Sequence, residues 1–125
     1  MERTALQDDA VDAALDFVGV GGLSYDIVMQ MDRLPAADGK YDAGLNGLFP
    51  GGFIANAVSA AARLGLRAGF AGWVGDDNGG ELLQRAFADE GVDCRGLSVL
   101  KDEATPFCVI MISGSERAII VPSFP

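Results

Sequence analysis

The residues able to do chemistry are few, and they fall at the ends of apolar stretches. Asp26 comes shortly after the apolar run Phe17-Val18-Gly19-Val20-Gly21. A carboxylate there can accept hydrogen bonds from two adjacent hydroxyls of a polyol, which orients it. It can equally cap N–H groups of a loop. Gly51-Gly52 ends a loop, Asn56 follows a turn later, and an Ala-rich segment closes on Leu64-Gly65. Two glycines let backbone approach a ligand closely. The free N–H groups of a helix's first turn favour a polar or anionic group, and Asn56 would project an amide toward the same place. An ordinary loop-to-helix junction fits this stretch as well. Gly75-Asp76-Asp77 follows a third apolar run; its carboxylates could meet a ligand or close Asx turns. Arg117 stands in a hydrophobic hairpin and could reach an oxyanion or simply be solvated.

Several function classes drop out. The chain has no His, which removes Ser-His-Asp and Cys-His catalysis and His-ligated zinc from these residues. Cys94 and Cys108 form neither a C-x-x-C pair nor part of a metal-ligand set, so a reduced, cytoplasmic protein is expected. Cys108 reads as a core residue and Cys94 as a loop residue. The Gly19 to Ser24 stretch fails as a dinucleotide fingerprint. Ser24 replaces the third glycine, and the residues after it alternate like a strand where a helix is required. No Walker A motif exists either, since Gly39-Lys40 is followed by Tyr41. The formal charge of -9 argues against a nucleic-acid or anionic-membrane surface. The longest apolar run, Phe107 to Ile112, is far short of a membrane span. The acidic N-terminus does not read as a secretory signal.

The elements that must position these residues follow from periodicity. The 125 residues suffice for one modest domain, and 17 glycines suit an α/β protein with tight turns. Residues 1–16 are expected to be a tail. Strands are expected at Phe17–Gly21 and, by alternation, at Ile27–Asp32. Tyr41–Phe49 reads as extended. Asn56–Leu64 reads as a helix stopped by Gly65, Ala68–Val74 as a buried strand, and Gly80–Glu90 as a second helix with Leu82, Leu83, Ala86 and Phe87 on its apolar face. Leu97–Leu100 reads as a short strand. Thr105–Ser113 and Arg117–Val121 form a hairpin around Gly114-Ser115-Glu116. Strand-helix-strand alternation implies a parallel sheet. The two extended pairs do not fit inside it and are expected to form a separate, largely antiparallel sheet.

In this order the segments resemble the N-terminal half of the ribokinase-like, or PfkB, carbohydrate kinases. FVGVGGLSYDIV resembles the family's opening strand with its substrate Asp. PGGFIANAVSAAARLG is similar to the first family signature, G-G-x-x-x-N-x-A-x-x-x-x-x-L-G. GFAGWVGDDNGGELLQRAFADEGVD resembles the strand, G-x-V-G-D-D-x-x-G, helix and G-V-D that follow. TPFCVIMI and ERAIIV resemble the paired segment after that. The resemblance runs from about Phe17 to Pro122. Phe53 and Ile54 depart from it, standing where many members have Lys or Ala and Gly, and Val58 stands where a smaller residue is usual. The second family signature, D-T-x-G-A-G-D, with the catalytic base and anion hole, has no counterpart here.

The resemblance implies an α/β, ribokinase-like fold: a partial central parallel sheet flanked by helices, plus a small β-sheet lid with strands near 27–49 and 105–121. Residues 17–125 would be the N-terminal part of the kinase domain. It implies ATP-dependent phosphorylation of a sugar hydroxyl, with this chain supplying the sugar-binding half and the lid. The alternative is a catalytically inactive sugar-binding or dimerising fragment. By the match, Asp26, Gly51, Gly52 and Asn56 would hold the sugar, Thr105 and Phe107 would line the pocket from the lid side, and the catalytic base is expected beyond residue 125. ATP and Mg2+ are implied by the family, with sites mostly outside this chain. The implied partners are a small-molecule sugar and, as in several members, a second copy paired through the lid; no nucleic acid or membrane partner is expected.

Overall fold

A computed structural model describes residues 14–122. The expected tail lies mostly outside the described residues, but its last residue belongs to the fold. The Asp16 carboxylate accepts from the Arg67 guanidinium at 2.7 and 3.0 Å and from the Arg67 N–H at 2.9 Å. In chain order the elements are β1 (Phe17–Val20), β2 (Ser24–Gln30), β3 (Gly44–Gly51), α1 (Phe53–Arg63), β4 (Ala68–Gly75), α2 (Asn78–Asp89), β5 (Asp93–Leu100), β6 (Phe107–Ser113) and β7 (Glu116–Ile120).

The strands divide into two sheets, as the alternation requires. The base sheet has the order β1-β4-β5 and is parallel throughout. Both of its crossovers step in the same direction, so right-handed connections place α1 and α2 on one face. There Val58 and Ala61 of α1, Phe70 and Val74 of β4, and Leu83 and Phe87 of α2 form the core. The Phe70 and Phe87 rings are 5.1 Å apart. Gly19 lets α1 lie close, since a Cβ there would fall 2.3 Å from Val58. The opposite face is largely uncovered among the described residues: Val18 is 51% and Val20 71% exposed.

The second sheet has the order β3-β2-β6-β7. Its outer pairs are antiparallel, but the central pair β2–β6 is parallel. The separate, largely antiparallel sheet is as expected, with two of its three pairs antiparallel; the parallel central pair was not foreseen. The reason is geometric. Strands β1 and β5 point the same way, the chain leaves both at the same end, and β2 and β6 therefore start from the same edge of the lid.

Element boundaries shift for local reasons. Helix α1 begins at Phe53, not Asn56, because Gly52 at φ +100° turns the chain directly from β3 into the helix without a capping side chain. Helix α2 begins at Asn78, not Gly80, because Asp77 caps it, accepting from the Gly80 N–H at 2.8 Å. Its two glycines are packing residues: a Cβ on Gly79 would lie 2.4 Å from the Tyr25 ring, and one on Gly80 2.1 Å from the Gly75 carbonyl. Strand β5 starts at Asp93, well before Leu97, so Cys94 is a strand residue packed against the core and not a loop residue. Strand β2 starts at Ser24, which puts Asp26 inside a strand, while Thr105 lies just before β6 and outside it. No described helix is long and apolar enough to cross a membrane.

Candidate functional site

A cavity of about 590 Å³ opens between the two sheets. Gly21 and Gly22, between β1 and β2, form one wall, and Gly52, Phe53 and Ile54 at the start of α1 form another. Trp73 of β4 and Phe107 and Cys108 of β6 complete much of the rest. Such a position, at the ends of parallel strands, is where open α/β sheets bind ligands.

Asp26 does not line this cavity but lies on a strand that borders it. Strand alternation puts Ser24 and Asp26 on one face of β2; Ser24 lines the cavity, as does Cys108, the register partner of Asp26 on β6. The Asp26 carboxylate lies over Gly51, where a Cβ would fall 2.6 Å from Oδ2. Glycine at 51 is therefore what makes room for the acid. Burial pushes the Asp26 carboxyl above the usual carboxylate range, with no hydrogen bond or cation offsetting it. A carboxylate so placed is ready to accept hydrogen bonds from a ligand's hydroxyls. Gly52 is needed for a different reason. Its φ of +100° excludes most side chains, and a Cβ would fall 2.9 Å from the Gly22 carbonyl.

The structure thus places Gly52 and Phe107 in the cavity lining, with Asp26 over Gly51 beside it. It does not bring Asn56 or Thr105 to the same cavity. Asn56 is exposed and lines a groove between the helices with Ser59, Arg63 and Glu90. Thr105 is 1% exposed, and its polar atoms are committed to the protein. Its hydroxyl donates to Asp77 Oδ1 at 2.5 Å and accepts from the Gly75 N–H at 2.9 Å, and its own N–H donates to Asp77 Oδ2 at 2.9 Å. This clasp ties the root of β6 to the junction of β4 and α2. Burial pushes the Asp77 carboxyl up, but the hydrogen bonds from Thr105 and Gly80 outweigh it and hold the group below the usual range. Phe107, two residues beyond Thr105, packs against Tyr25 with ring centroids 5.7 Å apart.

Sequence reasoning missed two things here. The Asp77 clasp was visible only in part: an Asp one residue before a helix signals a cap, but its second partner is 28 residues away. Trp73 on the cavity wall gave no signal beyond an apolar run. Asp76 is a turn residue, accepting from the Asp102 N–H at 3.0 Å. Arg117 is exposed on β7 and is not part of the cavity lining.

The residues present do not fit a nucleotide or a metal ion. The cavity lining carries no Lys or Arg to meet a triphosphate, and the described residues hold no cluster of three metal-ligating side chains.

Residues 16–123 match the family described as pfkB family carbohydrate kinase. The chain is 33% identical over 104 residues to an ATP-dependent ribose-1-phosphate kinase of Halopiger xanaduensis, covering 83% of this chain and 35% of the relative. It is 46% identical over 63 residues to a fructokinase of Escherichia coli, covering 50% of this chain and 19% of the relative. The fold is similar to that of Arabidopsis thaliana ribokinase complexed with ribose and ATP, with a TM-score of 0.77, 28% identity, and coverage of 88% of this chain and 36% of that one. The chain therefore spans about a third of the length of the relatives it matches over most of its residues. With the family's segments in order across 16–123 and its two-sheet architecture in place, this chain belongs to the pfkB family of carbohydrate kinases.

Proposed function

We propose that this chain is the sugar-holding part and lid of an ATP-dependent sugar kinase. The observation that carries the reading is the Asp26 carboxylate, raised in pKa by burial and seated over Gly51 beside the cavity. Asp26 accepts from two sugar hydroxyls, and the Gly51-Gly52 backbone closes in on the ring. Asn56 holds a sugar hydroxyl only if its side chain swings from the helix groove toward the cavity. The lid sheet shields the acceptor from water, which protects the phosphoryl donor from hydrolysis. ATP with Mg2+ would supply the phosphoryl group, and none of the residues described is assigned as the base that would take the hydroxyl proton. The setting is the cytoplasm. The test is an ADP-release assay with a panel of sugars on a full-length kinase carrying this segment. Turnover abolished by Asp26→Asn supports the reading; full turnover in that variant overturns it.

A second reading is favoured by one observation, the uncovered face of the base sheet at Val18 and Val20. On this reading the 125 residues by themselves bind sugar without turning it over, and a separate feature, the exposed Ile119 and Ile120 of β7, serves pairing through the lid. The same assay on the chain alone decides: turnover there sinks it, and sugar binding without turnover supports it. Sedimentation equilibrium tests the pairing, and a strictly monomeric chain refutes it.

A further inference from the structure

None of the described residues of α2 lines the cavity, yet the first turn of this helix meets both central strands of the lid where they begin. One contact is polar. Asp77 caps the helix through the Gly80 N–H at 2.8 Å and, with the same carboxylate, accepts from the Thr105 N–H at 2.9 Å and the Thr105 hydroxyl at 2.5 Å. Asp76, one residue earlier, accepts from the Asp102 N–H at 3.0 Å. The Glu103 carbonyl lies so near the end of β4 that a Cβ on Gly75 would fall 2.0 Å from it. The connection from β5 into β6 is therefore seated on the turn between β4 and α2.

The other contact is apolar. A Cβ on Gly79 would fall 2.4 Å from the Tyr25 ring, so Tyr25 lies directly on the helix. The Phe107 ring packs on Tyr25 with centroids 5.7 Å apart. The two residues are register partners across β2 and β6, and the Tyr25 N–H donates to the Pro106 carbonyl at 3.1 Å. Pro106, Phe107 and Cys108 then form one wall of the cavity. Ala is favoured over Gly in a helix by roughly 0.5–1 kcal/mol; what glycine supplies at position 79 is room for Tyr25.

We infer that Asp77, Thr105 and Gly79 are positioning residues: the first turn of α2 is the seat that fixes Pro106, Phe107 and Cys108 as a wall of the cavity. This holds for any ligand of the cavity, so its failure would leave the sugar reading standing.

The two cysteines make the position of the wall measurable. Cys108 lines the cavity, Cys94 sits on β5 against the core, and both are half-buried. Alkylation by iodoacetamide at mildly alkaline pH, where thiolate forms, gives a separate rate for each thiol by peptide mass spectrometry, with circular dichroism to confirm folding. Local opening of the wall speeds Cys108 alone, whereas a general loss of stability speeds both. In the 125-residue chain, Thr105→Val removes the hydroxyl and keeps the side-chain shape. Cys108 should then react about fivefold faster or more, the size expected when one hydrogen bond no longer opposes a local opening, with Cys94 within about twofold of wild type. Thr105→Ser, which keeps a hydroxyl, should leave Cys108 near the wild-type rate. If Thr105→Val fails to fold, Gly79→Ala decides. Its helical backbone accepts Ala, and the new Cβ displaces Tyr25, so Cys108 should react at least about threefold faster with Cys94 steady. Equal acceleration of both thiols, an unchanged Cys108 in a folded variant, or a Thr105→Ser chain that behaves like Thr105→Val would each overturn the inference.

Discussion

Removing the Asp77 side chain should cost the fold more than any other single loss of a polar group near the cavity. In Asp77→Ala three acceptor contacts vanish at once: those from the Gly80 N–H, the Thr105 N–H and the Thr105 hydroxyl. Loss of the helix cap costs about 1 kcal/mol. The Thr105 N–H belongs to a residue that is 1% exposed, and leaving it without an acceptor costs about 1–3 kcal/mol. The hydroxyl can rotate, and it still accepts from Gly75. The expected total is about 2–4 kcal/mol, a large part of the roughly 5–15 kcal/mol that holds an ordinary domain. The pH dependence has a definite sign. The Asp77 carboxyl is held below its usual range in the fold, because its hydrogen bonds outweigh the upward push of burial. Its contribution is therefore present in full above the unfolded value of about 3.9 and is lost as pH falls through the folded value. Urea unfolding followed by Trp73 fluorescence reads both effects. The gap between wild type and Asp77→Asn should be widest near neutral pH and should narrow on acidification below about pH 4. An Asp77→Ala midpoint equal to wild type, or a gap that widens in acid, would refute the clasp as the anchor of β6.

Three further outcomes follow from the same geometry. Gly51→Ala should fold but bind sugar at least tenfold more weakly by equilibrium dialysis, because the new Cβ would fall 2.6 Å from the Asp26 carboxylate and displace it; unchanged binding would detach Asp26 from the site. Asp26→Asn should raise the urea midpoint at pH 7, with a gain in unfolding free energy of less than about 1 kcal/mol, while removing sugar binding. Burial raises the folded pKa of Asp26, so its charge costs stability above the unfolded value of about 3.9 and the cost is relieved as pH falls toward it. A lower midpoint in the variant would show that the acid serves the fold. Finally, the chain alone should self-associate through its uncovered base face, and Val20→Lys, at a position 71% exposed, should shift sedimentation toward monomer; a wild-type chain that is monomeric and melts cooperatively would contradict this.

The fold was legible wherever one segment's own periodicity decided it. Leu83 and Phe87 marked the buried face of α2, the Ala68 to Gly75 run read as a buried strand, and the extended pairs could be set apart because strands without intervening helices do not fit a crossover sheet. What the pattern could not carry was direction across the lid. Alternation in β2 and β6 reads the same whether they run parallel or not; only the shared exit end of β1 and β5 settles it. Boundaries failed for a related reason. Gly52 and Gly79 look like breakers in sequence, yet one turns a strand straight into a helix and the other sits inside a helix because the Tyr25 ring leaves no room for a Cβ.

The candidate site divides along the same line. Asp26 and Gly51 are 25 positions apart, and each was conspicuous alone, but that one exists to accommodate the other emerges only from their register across β2 and β3, where Ser24 meets Gly51. Thr105 was noticed as a wall of the pocket, yet its burial and its three hydrogen bonds show a residue spent on holding β6. That gives it an indirect hold on the cavity wall: Phe107 begins β6, stands against Tyr25, and is among the residues lining the cavity. The lid is thus pinned to the base at the start of β6 by a carboxylate clasp and joined to it at the end of β3 by Gly51-Gly52. A ligand in the cavity would meet Phe107 at the start of β6, and would be gripped only if the pinned side held still. Substitutions at Asp77 should therefore loosen binding through Phe107 without touching the ligand, whereas substitutions at Gly51 should loosen it through Asp26.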